Sequence, residues 1–583
     1  MNSSSNHTPS EKTVEKIGVL ILVCCILVAF KLWLALALRL HAGGTAIVDD
    51  RLFVEYARSM IAGNWLGDYD ETTLAKGQFY SLFVAACFYA GVPLLFAQQL
   101  LHTFAVGVFT IAIRPIIKSR IVLVLVFAAL LFDPYMYSMS AARVLREGIY
   151  PALSLLVLAC AVQLVAKPDR SLRSFVFWST SLGFALIAFW TTREEGIWLV
   201  PTLLLFLGFA TVRMWREEVA DRWKRFSLLV MPFVMLALGI FSVASLNNHY
   251  YGVFNTVEFK NEAFKRGVGA ISRVEIEPWR QYVVASKNTR QAIYEVSPSF
   301  RQLEPFFEGP KGANIGLNAV KSFPDLDLRP DDIAGGWFVW AVRTAVAEAG
   351  HYSDSQTAEK FYNQLAVEIN TACDDGRLTC GPERIAVSPR WRNEYIALMY
   401  DQFFVGTKMF RFIAMGTNNI PYDPILEDHE LIEDITRSRL TQEFPARKRL
   451  ATQWSLDKQK YKIMVSLTWN YVRAYQYVPV LALGCFVVMC IVEIRRRKPT
   501  LLTVVAAGLL IAFAARGAIL LYITVTSFRA IFSSYFGPSY ALLIVFSIMC
   551  IYHFSEFLLQ LVQNRNNTPD ESSDSPPDVD ELT

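Results

Sequence analysis

The chain has 583 residues, 53% of them hydrophobic and 19% charged, with a formal net charge of +4 at pH 7. Soluble chains of this length divide into several domains and carry nearer a quarter charged residues, so the composition excludes an ordinary globular protein. So small a net charge identifies no partner, and none of nucleic-acid type is expected; what matters is where the charges lie.

The first apolar run, 17–38, is broken only by Lys31. It is long for a signal peptide and lacks a clear small-residue cleavage site, which predicts a retained membrane anchor. Long apolar runs recur along the chain, and about 20 helical residues cross a hydrocarbon core of roughly 30 Å. Basic clusters fall between the runs at Arg114/Lys118/Arg120, Lys167/Arg170/Arg173, Arg213 to Arg225, and Arg495 to Lys498. Cytoplasmic loops are enriched in Lys and Arg. Placing all four on that side gives ten spans: 17–38, 94–113, 120–133, 148–166, 173–190, 196–212, 226–246, 474–494, a ninth after Lys498, and 537–555. The stretch 79–113 is long enough for two crossings, but two would put Arg114 outside and invert every later loop. Residues 79–92 therefore read as a re-entrant or juxtamembrane helix on the outer face, a backbone arrangement tolerated at membrane depth where it lines a cavity.

The expected organisation is a cytoplasmic N-terminus (1–16), a transmembrane module (17–247) whose first outer loop is 39–92, and an extracytoplasmic domain (248–470). Three more spans (471–556) and a disordered acidic cytoplasmic tail (557–583) follow. Helical patterns within the polar segment predict a mainly α-helical domain, and the fold class is all-α and polytopic. Cys373 and Cys380 lie there, in an oxidising compartment, where a small disulfide-closed loop is expected.

Charged residues gather in the predicted outer loops: Asp49, Asp50, Arg58 and Lys76 in the first, Arg143, Arg146 and Glu147 in the second, Arg193, Glu194 and Glu195 in the third, Arg529 in the last. Arg516 lies about 15 residues into its span, hence in the outer leaflet. Ionisable groups beside a membrane cavity are costly to desolvate and mark function. Arginine and lysine recognise phosphate, and a carboxylate takes the proton of an attacking hydroxyl. The combination suits transfer from a lipid-linked phosphate, a leaving group that needs no second carboxylic acid.

At Asp49-Asp50, Phe53, Ala57-Arg58, Met60 and Gly63-Asn64-Trp65, followed by Lys76 and an apolar 79–92, the chain resembles the GT-C superfamily of polyprenyl-phosphate-sugar-dependent glycosyltransferases. The lipid A aminoarabinose transferases and protein O-mannosyltransferases are the kinds it is similar to. The resemblance covers 1–247 and 470–556. It implies an inverting transfer to an extracytoplasmic glycolipid, polysaccharide or protein, in a bacterial plasma membrane, with the general base on the acidic pair Asp49-Asp50, at Asp49. It implies donor-phosphate contacts at Lys76 and Arg529, joined by Arg58, Arg143, Arg146, Arg193 and Arg516, and an acidic second-loop site at Glu147 with Glu194. No cofactor is certain, although a divalent metal at Glu147 is open. Leu52 and Phe53 depart from the aminoarabinose transferases, which carry arginine and tyrosine there, and 248–470 has no counterpart.

Two other readings make different demands. A polysaccharide ligase or polymerase uses a lipid-linked oligosaccharide and keeps its catalytic group in the large loop, with Arg343 or His351 as candidates. A transporter commonly shows internal repeats and midplane charges, and neither is seen. P-loop, zinc-spacing and nucleotide-binding glycine motifs are absent, and Asp68-Tyr69-Asp70-Glu71 reads as a solvated acidic turn.

Overall fold

The computed structural model describes residues 11–41, 47–138, 140–409, 426–438, 440 and 448–566. Among these the regular structure is helical, with isolated bridges such as Leu40 to Leu440 and His41 to Arg143 in place of strands. The expected disordered tail at 567–583 and the first ten residues lie outside the described residues.

The membrane part comprises α1 (Glu11–Ala35), α2 (Leu52–Ile61), α3 (Phe79–Ala90), α4 (Leu94–Ile113), α5 (Arg120–Leu131), α6 (Tyr150–Ala166), α7 (Leu172–Thr192), α8 (Val200–Arg216) and α9 (Arg222–Tyr251). Among the described residues nine helices are long and apolar enough to cross a membrane, and α3 and α6 are two shorter apolar helices in addition to these nine. Side chains on their outer faces have no protein against them: Val19, Ile21, Leu22 and Ile26 of α1 are each 58–59% exposed. An apolar face this large that meets no protein requires lipid. The protein is a multi-pass membrane protein.

The two ends of the bundle are built differently. At the basic end a side-chain hydroxyl caps the following helix, as Ser119 does for α5 and Ser171 for α7. At the opposite end proline opens the helix, with Pro93 before α4, Pro151 in α6 and Pro201 in α8. Proline is suited to a first turn, where its missing N–H is no loss. Helix α3 has 12 residues, about 18 Å at 1.5 Å per residue, too short to cross. The sequence expectation of one crossing in 79–113 agrees with this length.

Helix α6 is the axis of the bundle. Every residue but Leu156 is buried, packed among α4, α7, α8 and the last helix. Inside the bundle Lys31 of α1 is fully buried and its Nζ lies 2.7 Å from His102 Nδ1, while donating to the Leu131 carbonyl at 2.8 Å.

The polar segment folds as α10 (Glu262–Ser272), α11 (Lys287–Val296), single turns α12 (Pro298–Arg301) and α13 (Glu304–Phe307), α14 (Pro310–Ser322), α15 (Gly335–Glu348), α16 (Ser355–Asp374), α17 (Glu394–Met409), α18 (Leu426–Thr436) and α19 (Lys448–Tyr475). It has its own apolar core around Phe264, Phe300, Phe338 and Leu365. Cys373 and Cys380 are disulfide-bonded, with Cα atoms 5.6 Å apart. Its last helix returns to the bundle: Met464 of α19 packs on Leu34 and Ala37. Buried Arg343 of α15 ties the domain to the first loop, pairing with Glu258 at 2.7 Å and donating to the Thr73 carbonyl at 3.0 Å.

Three spans close the fold: α20 (Val478–Arg496), α21 (Leu501–Thr526) and α22 (Ser533–Asn566). Gly508 lets α21 lie directly on α8, since a Cβ there would meet the Phe206 ring at 2.1 Å. Thr202 of α8 donates to its carbonyl at 2.8 Å. Helix α22 continues to Asn566, so 557–566 is helical where the sequence suggested disorder; its exposed leucines and valine at 558–562 sustain the helix beyond the apolar run.

Candidate active site

Five segments far apart in sequence meet at the end of the bundle opposite the basic loops: the turn after α1, the link before α3, the α5–α6 and α7–α8 links, and the upper part of α21.

Asp50 is fully buried beneath this surface. It accepts from Arg143 Nε at 3.1 and 3.2 Å, from Arg143 Nη2, and from the Val144 amide at 3.2 Å. Burial raises its carboxyl above the usual value despite that arginine. Its neighbour faces the other way. Asp49 pairs with Lys76 and its side chain is 42% exposed. Burial acts to raise the Asp49 carboxyl, but the Lys76 ammonium outweighs it and holds the group below the usual carboxylate value. Burial in turn lowers Lys76, which lies 5.4 Å from the Phe53 ring centre and 5.9 Å from that of Trp340. Phe53, one of the two departures from the aminoarabinose pattern, thus carries Lys76, and Arg146 at 5.7 Å.

The next residue fixes the loop. Gly77 donates its amide to Glu194 Oε1 at 2.9 Å, and a Cβ there would sit 2.2 Å from the Thr191 carbonyl oxygen. Gly77→Ala is expected to push the Lys76 link away from α7, breaking the amide contact with Glu194 and costing roughly 1–3 kcal/mol of stability as overpacking. A thermal unfolding temperature equal to wild type would show that this close approach does not hold the link in place.

Arg146 completes the contact, donating to both Glu194 oxygens at 2.7 and 3.0 Å and to the Thr192 carbonyl at 3.2 Å. Arg193, only 3% exposed, pairs in two-pronged fashion with Glu195 at 3.0 Å and also with Glu147. Arg193 lies 5.7 and 5.2 Å from the rings of Tyr150 and Tyr535. Burial opposes the ionised form of Glu195, but Arg193 prevails and drives it well below the usual range.

Five cations and five carboxylates are therefore assembled, and Arg193 takes two of the latter. Arg516 is left over. It is fully buried, its Nε donates to the Tyr535 carbonyl at 3.1 Å, and Nη1 and Nη2 have no hydrogen-bond partner among the described residues. Tyr150 and Trp198 flank it, each ring centre 5.9 Å from its guanidinium carbon.

Of the residues singled out in the sequence, Asp49, Asp50, Lys76, Arg143, Arg146, Glu147, Arg193, Glu194 and Arg516 come together. Arg58 does not: α2 buries Phe53, Val54 and Ala57 and leaves Arg58 exposed. Arg529 is drawn away to Asp325 of the polar domain and stands 5.4 Å from the Phe323 ring. The sequence reading passed over Glu195 as a site residue, although it is the third charge of the Arg193 loop, and over Tyr150, Trp198 and Tyr535, which look like any aromatic residue near a helix end. Arg343 is committed to Glu258, and His351 lies 2.8 Å from Gln302 Oε1. The open metal at Glu147 does not fit: one of its oxygens accepts from Arg193, and among the described residues no group of three or more His, Cys, Asp or Glu is placed to hold an ion.

No protein-family model matches the sequence, and no curated protein does. Two crystal structures are similar to it, both of ArnT from Cupriavidus metallidurans. The apo form is 16% identical over 92% of this chain and 78% of that one, with a TM-score of 0.31. The form bound to undecaprenyl phosphate is 16% identical over 95% and 81%, with a TM-score of 0.32. Likeness at this level leaves the site to be read from the chain's own residues.

Proposed function

We propose that this protein is a membrane glycosyltransferase that moves a sugar from a polyprenyl-phosphate donor to an acceptor on the face of the membrane carrying the polar domain, which is the extracytoplasmic face, with both termini inside. The observation that carries the reading is the contrast within the cluster. Asp49 is the most exposed of its five carboxylates, at 42% against 0% for Asp50, 9% for Glu147, 26% for Glu194 and 29% for Glu195, and it stands amid cations of which one, Arg516, lacks a carboxylate.

Asp49 takes the proton of the acceptor hydroxyl as its oxygen bonds to C1 of the sugar. The bond from C1 to the phosphate oxygen breaks, its electron pair leaves with the polyprenyl phosphate, and configuration at C1 inverts. Lys76 beside Asp49 orients the base and meets the growing phosphate charge. Asp50, bound on every side, holds the loop rather than moving a proton. Arg516 supplies the donor phosphate with Nη1 and Nη2, the two guanidinium NH2 groups that have no partner among the described residues.

Purified protein supplied with a panel of polyprenyl-phosphate sugars is expected to release free polyprenyl phosphate and glycosylated acceptor; failure with every donor and acceptor class would overturn the reading. A second measurement isolates Arg516. A hydrogen bond to a charged group contributes about 1.5–3 kcal/mol, so Arg516→Gln is expected to weaken binding of undecaprenyl phosphate roughly 10- to 100-fold. Equal affinity in the variant would remove Arg516 from the donor site.

A further inference from the structure

A cavity of about 100 Å³ lies in the polar domain, among the α10–α11 link, the segment after the disulfide and the end of α21. Its walls include Arg384, Arg390, Trp279, Tyr395 and Thr526. Its charges are unbalanced. The carboxylates in the wall have cations or donors beside them: Glu275 accepts from Arg392 at 2.7 Å, Glu277 Oε1 accepts from Asn288 at 2.6 Å and Arg329 at 3.4 Å, and Glu277 Oε2, which has no hydrogen-bond partner, is charge-paired with Arg280 Nη2 at 3.8 Å. Arg273 and Arg280 are engaged as well, the first with Asn370 and the Gly381 carbonyl, the second with Asp332. Two cations remain. Arg384 gives one N–H to the Ser388 carbonyl, but its Nε is buried with no partner. Exposed Arg390 has no carboxylate partner among the described residues. Burial, with the Arg390 charge adding to it, lowers Arg384 below the usual guanidinium value.

The apolar part of the wall is aromatic. Trp279 and Tyr395 meet edge to face, with ring centres 5.6 Å apart, and so offer flat surfaces at an angle to each other. A small cleft with convergent charged groups and aromatic walls has the make-up of a ligand site. Arginine matches carboxylate and phosphate oxygens in paired geometry, and an aromatic face covers the C–H side of a sugar ring.

Position joins this cleft to the transfer site. Thr526 is the last residue of α21 and Arg516 lies ten residues earlier on the same helix, about 15 Å away along its axis. Trp391, beside the cleft, stacks on Tyr522 of α21 with ring centres 6.4 Å apart.

We propose that this cleft binds an acidic glycan, a sugar chain bearing carboxylate or phosphate groups, and holds it so that a unit farther along the chain reaches Asp49. The acceptor role rests on the transferase reading; the binding does not. Full-length protein in detergent is titrated calorimetrically with a tetramer of galacturonic acid, with neutral maltotetraose, and with tetraglutamate. The acid sugar is expected to bind, maltotetraose and tetraglutamate at least tenfold more weakly. Arg390→Gln, at an exposed position, and Arg384→Gln are each expected to weaken it several-fold, and Asp49→Asn to leave it unchanged. Competition by inorganic phosphate would extend the class to phosphorylated glycans, and its absence would confine it to carboxylated ones. The proposal is overturned if no acid sugar binds, if maltotetraose or tetraglutamate binds equally, or if Arg390→Gln changes nothing. Binding that survives in a protein found to lack transferase activity would keep the glycan site and discard only its role as acceptor.

Discussion

Asp49→Asn is expected to slow sugar transfer by about 10²- to 10⁴-fold, the range that a positioned general base contributes. Asparagine keeps the size of the side chain and an oxygen for Lys76, so donor affinity should change little and the loss should fall on kcat. The pH profile gives an independent readout. Lys76 holds the Asp49 carboxyl below its ordinary value of 3.8, so the base is ionised throughout the neutral range and the acid limb of the wild-type profile lies below that value. Burial lowers Lys76 from 10.5, so activity falls on the alkaline side before that pH, as the ammonium is lost. Asp49→Asn should abolish the acid limb and move the alkaline one to lower pH, because the carboxylate that raises Lys76 against burial is gone. Asp50→Asn should instead lower the yield of folded protein, because it weakens a buried ion pair. Near wild-type transfer by Asp49→Asn would assign the base elsewhere.

Arg193→Ala is expected to cost about 3–5 kcal/mol of stability, the usual penalty for removing one partner from a buried ion pair. Here it strands two carboxylates, Glu147 and Glu195, in a wall of aromatic rings. Thermal unfolding in detergent should show the loss directly. The triple variant Arg193→Leu, Glu147→Gln, Glu195→Gln should recover much of it, since the stranded charges are gone. A triple variant no more stable than Arg193→Ala would mean that the arginine acts through packing against Tyr150 and Tyr535 rather than through charge.

The spans were legible because a membrane imposes a length and a sign: the run ending before Arg114 and the loop at Lys167 fix α4 and α6 almost to the residue. The depth of Arg516 followed from helical rise alone. Direction was not legible. Arg58 and Arg529 occupy the same predicted face as Arg146, and nothing in their neighbours says that one points to solvent and the other to Asp325, which lies 204 residues away. Glu195 was hidden by its proximity to Glu194, because sequence alone does not show that both carboxylates of the turn reach cationic partners, Glu194 at Arg146 and Glu195 at Arg193. The aromatic residues Tyr150, Trp198 and Tyr535 escaped notice because they come from three separate segments. In the polar domain the helical character was visible, but the cleft was not, since its walls are mostly irregular chain joined across more than 240 residues.

Lys31 bears on how the protein is made. As α1 leaves the ribosome it carries a lysine toward the hydrocarbon, at an insertion penalty of about 2.5–3.5 kcal/mol for a charge at the helix centre. The groups that receive its ammonium, His102 and the Leu131 carbonyl, are synthesised 71 and 100 residues later. Before α4 and α5 are in place, the Lys31 side chain has neither of these partners and the insertion penalty is not offset. The cost of placing the first helix in the bilayer is thus met by two helices made later, against which it packs.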